Sequence, residues 1–332
     1  MRIVALEEHY AFPELTRRID AAAIVRRGFP PPDAPSVRPE IDAKLVDFGE
    51  TRRKGLDEAG ITVQVLSTSG PGADLLPSSE GPALAREIND GLAARIAEHP
   101  GRYAGFAHLP LTAPEASADE LERTVRKLGF VGAMVNGTTD GKFLDDPMFE
   151  PLLARAEALD VPIYIHPGIP PAAVREAYFG GLPGPISTAF ARAGWGWHAE
   201  VVVHVMRLIL SGALDRHPKL QIVIGHLGEG IPAMLGRFEE IFAMATPKFL
   251  QRRVEETLLQ QVHITTSGFF HHTTFLQLLQ TFGADRIMFS VDYPYSSNMA
   301  ARKFLDEIEV SPADRAKIAH GNADRLLKLK TA

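Results

Sequence analysis

A chain of 332 residues with 45% hydrophobic and 23% charged side chains has the composition of an ordinary globular protein and excludes a disordered one. Its formal net charge of -6, with acids and bases interspersed, offers no basic face for nucleic acid and no cationic helix for a membrane. Cysteine is absent, which excludes disulfides, thiolate nucleophiles and sulfur-ligated metals, so any metal must sit on histidine, carboxylate or another oxygen. No run of 18 apolar residues and no charged-then-apolar leader is found, and small-molecule chemistry in the cytoplasm is the resulting expectation.

The first apolar run, residues 2–6, leads directly into LEEHY, Leu6 to Tyr10. A strand places alternate side chains on one face, so Glu7 and His9 share a face and Glu8 takes the other. Residues 11–45, with FPPPDAP at 29–35, read as an irregular excursion. Further apolar runs at 62–67, 102–109, 132–136 and 161–166 predict strands, and a Gly/Pro-rich second excursion follows the fifth strand over 168–196. Runs at 221–226, 262–267 and 286–292 complete eight strands. Apolar spacing of three and four predicts helices over 84–98, 114–128, 147–159, 197–215, 230–243, 272–282, 299–308 and 312–329. Strands alternating with helices define an α/β protein, and eight such units with near-continuous apolar strands predict a closed (β/α)8 TIM barrel as one domain over 1–332. No GxGxxG or GxxxxGK[ST] follows any strand, so an open nucleotide-binding sheet has no support.

Ligand-type residues fall at the C-terminal ends of these strands: Glu7 and His9 on the first, His166 on the fifth, His226 on the sixth and Asp292 on the eighth. Barrel active sites are built on that edge, and closure brings the first and eighth strands together across the mouth from the fifth and sixth. Taken singly, His166 before Pro167 reads equally as a structural residue, His226 as a helix cap, Asp292 as a turn former and Glu229 as a first-turn carboxylate. Five coincidences at one edge favour a shared site. His204 reads as a packed or partly exposed helix residue and His99, His217 and His320 as surface residues, while His271 and His272 follow the seventh strand near the pocket. Trp197 and His198 belong to the end of the second excursion, facing either a substrate or a partner subunit. Glutamate, histidine and aspartate suit Zn, Mn or Fe. The fourth strand ends in Asn136 and supplies no bridging Lys, Glu or His, which implies a single divalent ion.

The segments ALEEHY, LGFVGAMVNG, DVPIYIHPG, RLILSGALDRHPKLQIVIGHLGEG, HITTSG and DRIMFSVDYP resemble the metal-dependent decarboxylase branch of the amidohydrolase superfamily along nearly the whole chain. That branch includes the γ-resorcylate, 2,3-dihydroxybenzoate, 5-carboxyvanillate and aminocarboxymuconate semialdehyde decarboxylases. The resemblance implies one divalent ion, Zn or Mn, on Glu7, His9, His166 and Asp292. It implies that Asp292, His226 and Glu229 carry the chemistry, with Asp292 as the acid, His226 stabilising charge and Glu229 orienting His226. A small hydroxylated aromatic or unsaturated carboxylic acid is the implied substrate, with Asn136, Arg237, Trp197 and Phe269 as its candidate contacts, and a homodimer or homotetramer is the implied assembly. The chain departs from the salicylate-type pattern at Ile241, where a second arginine is usual, and at Ser296, where glutamate is frequent. The competing reading is a metal-dependent hydrolase or hydratase of a lactone, amide or related compound, in which Asp292 takes a proton from metal-bound water.

Overall fold

The computed structural model describes residues 1–244 and 246–329; residues 245 and 330–332 of the expected 1–332 domain lie outside the described residues. Eight strands form: β1 Val4–Tyr10, β2 Val63–Thr68, β3 Tyr103–Gly105, β4 Ala133–Asn136, β5 Ile163–His166, β6 Ile222–Ile224, β7 Val262–Thr265 and β8 Ile287–Met288. They pair in parallel in chain order, β1 to β3 in one run and β4 to β8 in another. Isolated parallel bridges Ala107 to Ala133 and Glu8 to Tyr293 join the runs at both edges, as the barrel expectation requires. Alternate residues of β1 serve the two faces. Val4 and Leu6 pack with Val65, Phe106, Met134, Tyr164 and Val223 in one cluster, while Ile3 and Ala5 join the larger one formed with the surrounding helices.

The main helices are α1 Glu50–Ala59, α2 Gly81–Glu98, α3 Pro114–Arg123, α4 Glu150–Leu159, α5 Gly196–Leu210, α6 Ile231–Phe242, α7 His272–Phe282 and α8 Asn298–Glu307. Several expectations need correction. The stretch 11–45 is not irregular throughout, since it holds short helices at Ala21–Arg27 and Pro39–Leu45. Helix α1 escapes an apolar-period search because Arg52 occupies one of its buried positions. The Arg52 guanidinium donates to the carbonyls of His9 at 2.7 Å, Lys44 at 3.1 Å and Asp47 at 2.7 Å, tying the first excursion to β1. The second excursion is likewise helical in part, at Gly184–Ala189 among others.

Strand β1 runs past the expected end at residue 6, and all seven of its residues are buried. Its register against β2 shifts between Ala5 and Glu8. Polar side chains survive there because the segment after β8 satisfies them. Glu7 donates its N–H to Ser290 Oγ at 2.7 Å, and Glu8 accepts the N–H groups of Val291 at 2.8 Å and Tyr293 at 3.2 Å. Gln64 adds a third donor to Glu8 at 3.2 Å. The residue on the face away from the histidines is therefore the latch that closes the barrel.

His217, read as a surface residue, is buried between Glu150 at 2.7 Å and Glu157 at 3.3 Å. His204 on α5 is packed rather than partly exposed, and its Nε2 accepts the Leu144 N–H at 3.0 Å. Burial draws its imidazole down to about 3, so the ring is neutral in the fold, whereas the unfolded ring protonates near 6.5. Between those values the unfolded chain binds more protons; the neutral ring's contribution is complete above 6.5 and is lost as pH falls towards 3. Urea unfolding across that window is expected to give wild type a pH slope up to about 1.4 kcal/mol per unit steeper than His204→Gln. Equal slopes would contradict a neutral His204.

Candidate metal centre

At the C-terminal mouth, Glu7, His9 and His166 offer three ligand atoms within 4.8 Å of one another. Glu7 Oε1 faces His166 Nε2 at 3.4 Å, His226 Nε2 at 3.6 Å and His9 Nε2 at 3.9 Å. Asp292 Oδ1 closes on His9 Nε2 at 3.3 Å. Surrounding groups fix each donor's direction. Tyr164 Oη donates to Glu7 Oε2 and is itself held by Thr265 Oγ1 at 2.7 Å, which turns Glu7 Oε1 towards the histidines. Ser67 Oγ lies 3.3 Å from His9 Nδ1, the pairing that leaves a bare Nε2 when Nδ1 is the donor.

Glu7 Oε1 and His9 Nε2 are buried and have no hydrogen-bond partner among the described residues. Such atoms are costly unless a cation accepts their lone pairs. The donor set therefore fits a divalent ion of the Zn, Mn or Fe type. Burial draws the His166 ring down to about 3, with the nearby His9 and His226 adding to the effect, so it stays neutral as a ligand must be. Burial pushes the Asp292 carboxyl above its ordinary value, and the Glu7 charge contributes.

A second group adjoins the first. Glu229 Oε1 receives His226 Nδ1 at 2.7 Å, and Glu229 Oε2 meets His198 Nδ1. Burial opposes a charge on His226, but Glu229 and Glu7 overcome it and raise the ring to about 10. His226, Glu229 and Asp292 all hold left-handed backbone, with φ of 52°, 59° and 69°. Non-glycine residues adopt that region at a cost and collect at functional sites.

The other sequence candidates separate clearly. Asn136 pairs in register with His166 at the end of β4, and Phe269 packs edge-on against His226 at 5.6 Å between ring centres. Trp197 is half-buried, and its indole N–H has no partner among the described residues. Arg237 is not brought to the cluster: it lies exposed on α6, paired with Glu240 at 2.9 Å, because its helical position faces outward with Ile241. His271 and His272 are exposed. Tyr164, Thr265 and Ser67 went unread because a hydroxyl inside an apolar strand carries no periodic signal.

A parallel barrel with carboxylate and imidazole donors at the ends of β1, β5 and the β8 segment defines a metal-dependent enzyme scaffold of the amidohydrolase type. The chain belongs to the amidohydrolase family, whose pattern matches residues 22–329. The γ-resorcylate decarboxylase of Rhodococcus jostii is 40% identical over 341 residues, covering 98% of each chain. Among solved structures, 2,6-dihydroxybenzoate decarboxylase from Rhizobium matches with a TM-score of 0.87 at 36% identity, over 99% of both chains. The dihydroxybenzoic acid decarboxylase of Polaromonas sp., with bound manganese and the inhibitor 2-nitroresorcinol, matches with a TM-score of 0.87 at 36% identity, over 99% of this chain and 98% of that one. The resemblance to the decarboxylase branch is borne out.

Gly225 shows how tightly the centre is framed. A Cβ there would lie 2.6 Å from Glu7 Oε2 and 3.2 Å from Tyr164 Oη. Gly225→Ala is expected to weaken Mn2+ binding at least about tenfold, measured by calorimetry, with the circular dichroism spectrum unchanged. Unaltered affinity would show that Glu7 orientation does not govern the site.

Proposed function

We propose that this protein is a metal-dependent, non-oxidative decarboxylase that releases CO2 from a small hydroxylated aromatic carboxylic acid. The observation that carries the reading is the placement of Asp292 on His9 Nε2, beside the unpartnered Glu7 and His9 donors, with His226 of the His226–Glu229 pair facing the same Glu7 oxygen. Similarity to enzymes named for γ-resorcylate and 2,6-dihydroxybenzoate supports an aromatic acid with a hydroxyl beside the carboxylate.

Glu7, His9, His166 and Asp292 would hold one divalent ion, and manganese in a similar enzyme supports Mn alongside Zn. When bound, the ion supplies Lewis-acid charge that orients a carboxylate and its neighbouring hydroxyl. Asp292 gives its proton to the ring carbon as the bond to the carboxylate breaks; the bonding pair stays on that carbon and CO2 leaves. His226, held by Glu229 through Nδ1, presents Nε2 to the negative charge that builds on the substrate. Phe269 packs on the His226 ring and limits water at that side. Asn136, paired with His166 at the end of β4, and Trp197, beside His198 in the chain with an unpartnered indole N–H, would be polar contacts for ring substituents.

The proposal extends to a cytoplasmic homodimer or homotetramer. Among the described residues no helix is long and apolar enough to cross a membrane. Tyr178, Leu182, Ile186, Phe190 and Trp195 of the second excursion are exposed, as are Met234 and Ile241 of α6, and association would cover such side chains. Arg237 shares the exposed face of α6, where it would meet a partner rather than its own site.

Protein loaded with Mn2+ or Zn2+ is expected to convert 2,6-dihydroxybenzoate to CO2 and resorcinol, with one solvent deuteron at the vacated carbon in D2O. Asp292→Asn should lower kcat by at least about 100-fold. A fully metal-loaded protein that releases no CO2 from a broad hydroxybenzoate and muconate panel would refute the reading. Solvent oxygen-18 bonded into the organic product would instead assign the hydrolase or hydratase chemistry.

A further inference from the structure

His198 sits in the first turn of α5, buried and outside the set of donors around Glu7. Its two ring nitrogens have different partners. Nε2 lies 3.0 Å from the carbonyl of Ala193, which only accepts, so Nε2 carries a hydrogen. In a neutral imidazole that leaves Nδ1 as a bare lone pair. Yet Nδ1 makes its contact with Glu229 Oε2, and an ionised carboxylate has only lone pairs to offer. Two lone pairs cannot make a hydrogen bond. The contact needs one proton more than a neutral histidine and an ionised glutamate together hold, placed on Nδ1 or on Oε2.

The same carboxyl receives His226 Nδ1 on its other oxygen at 2.7 Å, so the three side chains form one line, His226 to Glu229 to His198. The line ends at the carbonyl of exposed Ala193 in the second excursion. Phe269 packs edge-on against both imidazoles, at 5.1 Å from His198 and 5.6 Å from His226, and shields the line from water. All three side chains are buried, which raises the electrostatic weight of a single proton there.

We infer that His198 is a positioning residue that holds a proton against Glu229, so that His226 is oriented by a neutralised carboxylate–imidazole pair rather than by a free carboxylate. The pair keeps His226 Nδ1 hydrogen-bonded and fixes the direction of its Nε2. It also softens the counter-charge behind His226, which leaves the Nε2 proton better able to serve the charge that develops on the substrate. A free carboxylate in that place would hold the imidazolium more firmly and make it a poorer hydrogen-bond donor. This inference rests on the role proposed above for His226, and its first test does not require turnover.

The zinc-loaded full chain, labelled with nitrogen-15 in histidine and carbon-13 in the glutamate carboxyl, is examined by NMR at neutral pH, with signals assigned through His198→Gln and Glu229→Gln. The expected result is either two protonated ring nitrogens on His198 or a protonated Glu229 carboxyl. A His198 protonated on Nε2 alone beside an ionised Glu229 would overturn the inference whatever the enzyme's substrate. In the kinetic arm, His198→Gln, whose amide still donates to Glu229, is expected to lose about tenfold in kcat with KM and metal content little changed. A kcat per bound metal equal to wild type, accompanied only by a lower Tm, would reduce His198 to a packing residue and overturn the positioning role.

Discussion

The seam where the β8 segment closes on β1 is the constraint on which the mouth depends. Asp292 donates its N–H to the Glu7 carbonyl at 3.1 Å, Glu8 receives the amides of Val291 and Tyr293, and Ser290 Oγ receives the Glu7 amide. These bonds fix the register. A slip of one residue would exchange the faces of Glu7, Glu8 and His9 and destroy the cluster, because side chains alternate along a strand. The placement of Asp292 beside His9 thus follows from barrel closure, with Glu8 supplying the lock.

Closure also gathers charges that water would otherwise solvate. Burying an ionised group costs several kcal/mol, offset only by partners of good geometry. Tyr164 satisfies one oxygen of Glu7, and His226 and His198 satisfy both oxygens of Glu229. The other oxygen of Glu7, the Nε2 of His9 and the Nδ1 of His166 stay without a hydrogen bond among the described residues. Left-handed backbone at His226, Glu229 and Asp292 adds about 1–3 kcal/mol at each position. Stability is surrendered at the mouth and recovered in the two apolar clusters of the barrel wall.

Much of this was legible in the sequence, for physical reasons particular to each element. Parallel strands buried on both faces write themselves as apolar runs, so all eight were visible, and the residues that follow them named Glu7, His9, His166, His226 and Asp292. Helix α1 was hidden because Arg52 takes an apolar position and binds backbone carbonyls instead. Glu8 was legible only as the residue facing the other way; its latch is a contact between positions 283 residues apart, which no local pattern encodes. Tyr164 and Thr265 look like ordinary strand residues until Glu7 is seen against them. Arg237, a substrate contact implied by the resemblance, stands on the exposed side of α6 because the helical phase turns it outward to Glu240.

The central claim is that the space framed by Glu7, His9, His166 and Asp292 holds the ion. Anomalous X-ray scattering from crystals of the manganese-loaded protein tests it directly. The account predicts a single peak per chain within bonding distance of Glu7 Oε1, His9 Nε2, His166 and Asp292. A peak instead among His198, His226 and Glu229, or none at all, would contradict it.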